Sequence, residues 1–160
     1  MAAKTLIYRV SNNVYTPWRP TVHTIRAYSD ADCTKEITAT YIDESGGSDS
    51  GSLAFVHSTG QYWRPHCGKC DIGEAWVTFS TETEAQCVLA NAFGEGAGGS
   101  GTWNGGIKVE IQDRGSWITV LESTSGNKAS GIYSIMTYMI LIYIITYDNQ
   151  SYLVEICNLF

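Results

Sequence analysis

The 160-residue chain is long enough for one domain with a sizeable core and too short for two ordinary ones. Charged residues make up only 16% of it, the formal net charge is -6, and its ten lysines and arginines are scattered from Lys4 to Lys128, so a nucleic-acid partner is not expected. The N-terminus carries Arg9 inside its first apolar stretch and does not read as a secretory leader, leaving an intracellular protein or an internal piece of a larger one.

In chain order, Thr5 to Val10 is a short β-prone run, followed by loop chemistry at Ser11-Asn12-Asn13 and Pro17-Trp18-Arg19-Pro20. Thr21 to Tyr28 alternates, with His23, Ile25 and Ala27 on one face and Thr24, Arg26 and Tyr28 on the other. Glu36 to Ile42 reads as a weaker strand, Asp43 to Ser52 as an exposed acidic, glycine-rich loop, and Leu53 to His57 as a brief apolar segment. A loop holding Tyr62-Trp63-Arg64-Pro65-His66-Cys67-Gly68-Lys69-Cys70 then feeds a strand from Glu74 to Phe79, in which Ala75, Val77 and Phe79 alternate with Trp76 and Thr78.

Ala85 to Ala92 is the next expected strand, opening into a glycine-rich run and Thr102-Trp103-Asn104. Ile107 to Gln112 places Ile107, Val109 and Ile111 inward and Lys108, Glu110 and Gln112 outward; Asp113-Arg114-Gly115 is a hairpin turn, and Ser116 to Leu121 returns beside it. Short strands separated by Gly, Ser and Asn turns, with no convincing amphipathic helix, define an all-β chain folded as an antiparallel sandwich or barrel. The expected domain runs over 1–125, and 126–160 is an atypical Ile/Tyr-rich tail. Its uncharged run of 16 residues, Ile132 to Tyr147, falls short of the roughly 18 to 20 of a spanning helix. Closing strands, membrane association or a non-native segment are the three readings open for it.

Five cysteines stand at 33, 67, 70, 87 and 157. Cys67-x-x-Cys70 lacks a second such pair for zinc, and a strand rather than a helix follows it, against a redox motif. Structural disulfides among Cys33, Cys67, Cys70 and Cys87 are expected; four cysteines allow three pairings, with Cys33 and Cys87 the natural partners of the motif cysteines. If oxidised, they favour an extracellular or cell-surface setting. No metal ligand set is assigned, and calcium at Asp43 to Asp49 lacks the spacing of a calcium loop. The glycines from Gly94 to Gly99 match a dinucleotide motif in letters only, since no helix follows.

Ala54-Phe55, Tyr62-Trp63, Gly73-Glu74-Ala75-Trp76-Val77-Thr78-Phe79, Glu84 to Leu89, and Ile107 to Gln112 followed by Ser116-Trp117-Ile118-Thr119-Val120 together resemble the discoidin (coagulation-factor C-type) module of the galactose-binding-like superfamily, over about Thr5 to Glu122. The resemblance implies an eight-stranded jelly-roll β-sandwich, usually extracellular, that binds glycans, lipid head groups or proteins through loops at one end and carries out no catalysis. Val56-His57 departs from the acidic turn common after Ala-Phe in such modules, and the motif cysteines are not a general family feature.

The expected function is therefore a non-catalytic carbohydrate-binding or adhesion module of a larger protein, needing no cofactor. Its ligand contacts are placed on Trp18, His57, Arg64, Trp103 and Asn104: indole faces for stacking, and donors and acceptors for hydroxyl or acidic groups. The alternatives are a small glycoside hydrolase using Glu74 or Glu84, and a structural domain anchored to a membrane by Ile132 to Tyr147.

Overall fold

The computed structural model describes residues 5–17, 21–56, 61–91, 106–124 and 128–131. Within them the chain forms β1 (Leu6–Asn12), β2 (Thr24–Tyr28), β3 (Glu36–Ile37), β4 (Thr40–Glu44), β5 (Gly47–Asp49), a 3-10 turn (Gly51–Phe55), β6 (Arg64–Pro65), β7 (Trp76–Thr81), β8 (Cys87–Asn91), β9 (Ile107–Asp113), β10 (Ser116–Glu122) and β11 (Lys128–Ser130). A five-stranded sheet has the order β10-β9-β1-β7-β4, a four-stranded sheet the order β11-β8-β2-β3, and β5 pairs with β6 in a small ribbon. Every pairing is antiparallel. The all-β expectation holds, as two facing sheets.

Period-2 alternation places the core between those sheets. Tyr8 and Val10 from β1, Val77 and Phe79 from β7, and Val109 and Ile111 from β9 meet Ile25 and Ala27 from β2 and Val88 and Ala90 from β8 in one buried cluster. Tyr8 and Phe79 stack at 5.5 Å, and Phe79 lies 5.8 Å from Phe55, so the 3-10 turn is tied to the core by an aromatic contact. The Tyr8 hydroxyl accepts the Ala85 amide at 3.1 Å, which satisfies a buried donor.

The outer face of the five-stranded sheet is polar. Arg9 reaches Glu110 at 2.7 Å, Lys108 reaches it at 3.3 Å, and the Arg9 guanidinium covers the Trp117 ring at 4.5 Å. Glu110 points outward as its alternation requires, yet these neighbours leave it only 6% exposed. The turn between β9 and β10 is Arg114-Gly115, with φ of 48° and 85°, the left-handed pair that matches the twist of a two-residue hairpin.

Several expectations are corrected. Glu36 to Ile42 is two strands: β3 borders the four-stranded sheet and β4 the five-stranded one, so the chain changes sheet at Thr38-Ala39. The expected loop from Asp43 to Ser52 contains the end of β4, all of β5 and the start of the 3-10 turn. Lys128–Ser130, within the 126–160 stretch for which closing strands were one open reading, pairs with β8. The run Ile132 to Tyr147 lies outside the described residues. Among the described residues no helix is long and apolar enough to cross a membrane.

The cysteine pairing also differs. Cys33 joins Cys87 and Cys67 joins Cys70. Tyr28 pairs with Cys87, so the first bridge holds the turn after β2 against β8. In that turn Asp30 accepts the Thr34 and Lys35 amides at 3.1 and 2.7 Å. Desolvation raises the Asp30 carboxyl, but those amides, the Thr34 hydroxyl and the Lys35 charge outweigh it and hold it below the usual carboxylate value. The motif cysteines cannot reach Cys33 or Cys87 because they sit at the other end of the sandwich. The two bridges fit an oxidising, extracellular-type compartment.

Candidate functional site

One end of the sandwich gathers the last residue of β1, Asn12, opposite Ile107 of β9, with Ser11 opposite Trp76 of β7 and Thr24 of β2 opposite Asn91 of β8. The segments 13–17, 21–23 and 61–75 leave the sheets there. Three anchors order them. Val22 and Trp63 exchange both backbone hydrogen bonds, at 2.8 and 2.9 Å, and Thr16 and Cys70 do the same at 2.9 Å. Between them, the fully buried Asn12 amide donates to the carbonyls of Val14 and Asp71 at 2.9 and 2.8 Å and accepts the Ala75 amide at 3.1 Å.

Trp63 is 0% exposed, so it seals this end of the core. Its indole comes so close to β5 that a Cβ added to Gly47 would stand 3.0 Å from Nε1 and 2.3 Å from the Arg64 carbonyl oxygen, which leaves glycine as the residue that fits. Because side chains alternate along this extended stretch, Tyr62 and Arg64 turn away from the core as Trp63 turns into it. The Arg64 guanidinium lies 4.5 Å from the Tyr62 ring centre, and His23 meets the same ring edge-on at 5.5 Å. Arg64 is opposite Asp49 in the ribbon, and His66 beyond it is exposed. The result is a half-buried patch of two flat rings and a flat cation, held by a buried tryptophan. Such a patch offers faces for stacking and donors for hydroxyl or acidic groups.

Of the expected contact residues, Arg64 belongs to this patch, while Trp18, His57, Trp103 and Asn104 lie outside the described residues. Tyr62, His23 and Asn12 were missed. The alternation of Tyr62 and Arg64 about Trp63 was the available signal for the first; nothing in the letters brings His23 to Tyr62, since that contact depends on the Val22–Trp63 pairing.

The acidic candidates are dispersed. Glu74 caps its own turn by accepting the Asp71 amide at 2.8 Å. Glu84 follows β7 whereas Glu74 precedes it, and strand rise over Trp76–Thr81 alone separates them by about 17 Å, beyond the span a pair of glycosidase carboxylates uses. Glu44 accepts the Gly51 amide and the Tyr41 hydroxyl. Burial, then the bond to Glu44 and the negative charges of Glu44 and Asp43, push the Tyr41 phenol up. Among the described residues no three His, Cys, Asp or Glu side chains gather as a metal site.

Scans against protein-family models, curated proteins and solved structures find no match to this chain.

Proposed function

We propose that the chain is a non-catalytic glycan-binding or adhesion module of the jelly-roll, galactose-binding-like type, working as part of a larger secreted or surface protein. Its binding surface is the Trp63 end of the sandwich. The observation that supports this reading is the patch of His23, Tyr62 and Arg64, in which rings and a guanidinium stand together on a ribbon fixed by Trp63. Ring faces take the C–H faces of sugars, and guanidinium and imidazole nitrogens donate to hydroxyl or carboxylate oxygens. The order of the discoidin-like pieces along the chain points to the same class.

The test is retention on a glycan array of the wild type, Arg64→Ala and Tyr62→Ala, with Tm measured beside it. A retained glycan should be lost about tenfold in either variant, since each removes a charge-assisted hydrogen bond or a stacking face. Tm should move little, because both side chains are outside the core. Undiminished retention by both variants would remove this patch from the binding surface, and turnover of a chromogenic glycoside by the purified chain would replace the binding reading with an enzymatic one.

A further inference from the structure

At the opposite end of the sandwich, away from Trp63, a cleft of about 500 Å³ opens between the β3–β4 crossover and the turn that follows β7. Its volume falls within the roughly 300–1,000 Å³ of small-molecule sites. Its lining departs from the apolar character of most such sites. Thr38 lines it from the crossover and Thr40 from the start of β4, Ser80 from the end of β7, Thr83 from the turn, and Thr5 from just before β1, with Ile37 as its one apolar wall among the described residues. The Thr81 hydroxyl donates to the Thr83 carbonyl at 2.6 Å, which fixes the turn and therefore the Thr83 side of the cleft.

Two carboxylates, Glu36 and Glu82, complete the lining, and no lysine or arginine joins them among the described residues. Arg26 meets Glu36 at 3.5 Å and lines a neighbouring hollow of about 310 Å³, which Glu36, Ile37 and Thr38 also border. Hydroxyls donate or accept, whereas carboxylates only accept. The cleft therefore matches a ligand rich in hydroxyl groups that also brings a positive charge, and it repels acidic or sulfated sugars. With Glu36 shared with Arg26, Glu82 is the carboxylate that would meet the cation.

We propose that this cleft binds a protonated amino sugar, through hydroxyl contacts to Thr38, Thr40, Ser80 and Thr83 and an ammonium contact to Glu82. This site is independent of the Trp63 end, and neither reading rests on the other. The experiment is a nitrogen-15 amide NMR titration of the full chain with glucosamine, glucose and glucuronate, repeated on Glu82→Gln. Glu82 is exposed in a turn, so the isosteric substitution leaves the core intact.

Glucosamine should shift the Thr38, Ser80 and Thr83 signals saturably, glucuronate should not, and Glu82→Gln should weaken glucosamine about tenfold, the scale of a hydrogen bond to a charged group. Glucose binding as tightly as glucosamine, or a Glu82→Gln titration that superposes on the wild type, would overturn the assignment to an amino sugar. No saturable shift at this end up to the solubility limit of glucosamine would overturn the site itself. Signals from Tyr62 and Arg64 report the other end separately, so failure at one end is read apart from failure at the other.

Discussion

The Asn12 side chain spends its hydrogen-bonding capacity on the segments that shape the Trp63 end. Its Nδ2 donates to the carbonyls of Val14 and Asp71 and also approaches the Thr16 hydroxyl at 3.4 Å, and its Oδ1 accepts the Ala75 amide. Substituting alanine would leave a buried backbone donor and two carbonyls without these partners, at about 1–3 kcal/mol for each group that water cannot reach. Asn12→Ala should therefore lower the unfolding free energy in urea by about 2–4 kcal/mol. It should also speed hydrogen exchange at the Cys70, Gly73 and Ala75 amides ahead of the strand amides. Uniform exchange across the chain would mean that Asn12 supports the whole fold rather than this end. In the sequence Ser11-Asn12-Asn13 looks like ordinary turn chemistry, because nothing in a stretch of polar letters tells a solvated amide from one enclosed by segments sixty residues away.

Among the elements, the β9–β10 hairpin was the most readable: strict alternation in β9, a turn within Asp113-Arg114-Gly115 and a returning strand are all local, so the letters carry them. Both turn residues have positive φ, 48° at Arg114 and 85° at Gly115. Gly115→Ala should cost about 1 kcal/mol, because a Cβ disfavours that backbone, and Arg114→Asn should gain about 0.5 kcal/mol, because asparagine tolerates the left-handed region better. Thermal unfolding of the two variants checks this; a neutral Gly115→Ala would argue against a left-handed turn. The β3–β4 region was harder to read for a physical reason. Alternation reports which face a residue is on but not which sheet it joins, so a sheet change at Thr38-Ala39 leaves no periodic mark. β5 was hidden for a related reason. A strand in a two-stranded ribbon with its residues largely open to solvent has no apolar period to display, and Gly47-Ser48-Asp49 has the composition of a loop.

At the scale of the molecule, the two disulfides lie at opposite ends and close loops of very different size. Cys33 and Cys87 are 54 residues apart, and their bridge ties the turn after β2 to β8. Cys67 and Cys70 are three residues apart, and their bridge ties a loop only to itself. If a cross-link stabilises by restricting the unfolded chain, the long loop is worth about 4 kcal/mol and the short one about 2 kcal/mol or less. Urea unfolding should then show Cys33→Ala with Cys87→Ala as the more damaging pair, and Cys67→Ala with Cys70→Ala as the milder one. The milder pair should act locally. Cys70 is fully buried and exchanges both backbone bonds with Thr16, so loss of its bridge should loosen the 67–75 segment and lower glycan retention while most of the stability remains. A larger stability loss from the short bridge than from the long one would reverse this account. The Trp63 end would then be where the native state is held together, and the sandwich would depend on its loops as much as on its sheets.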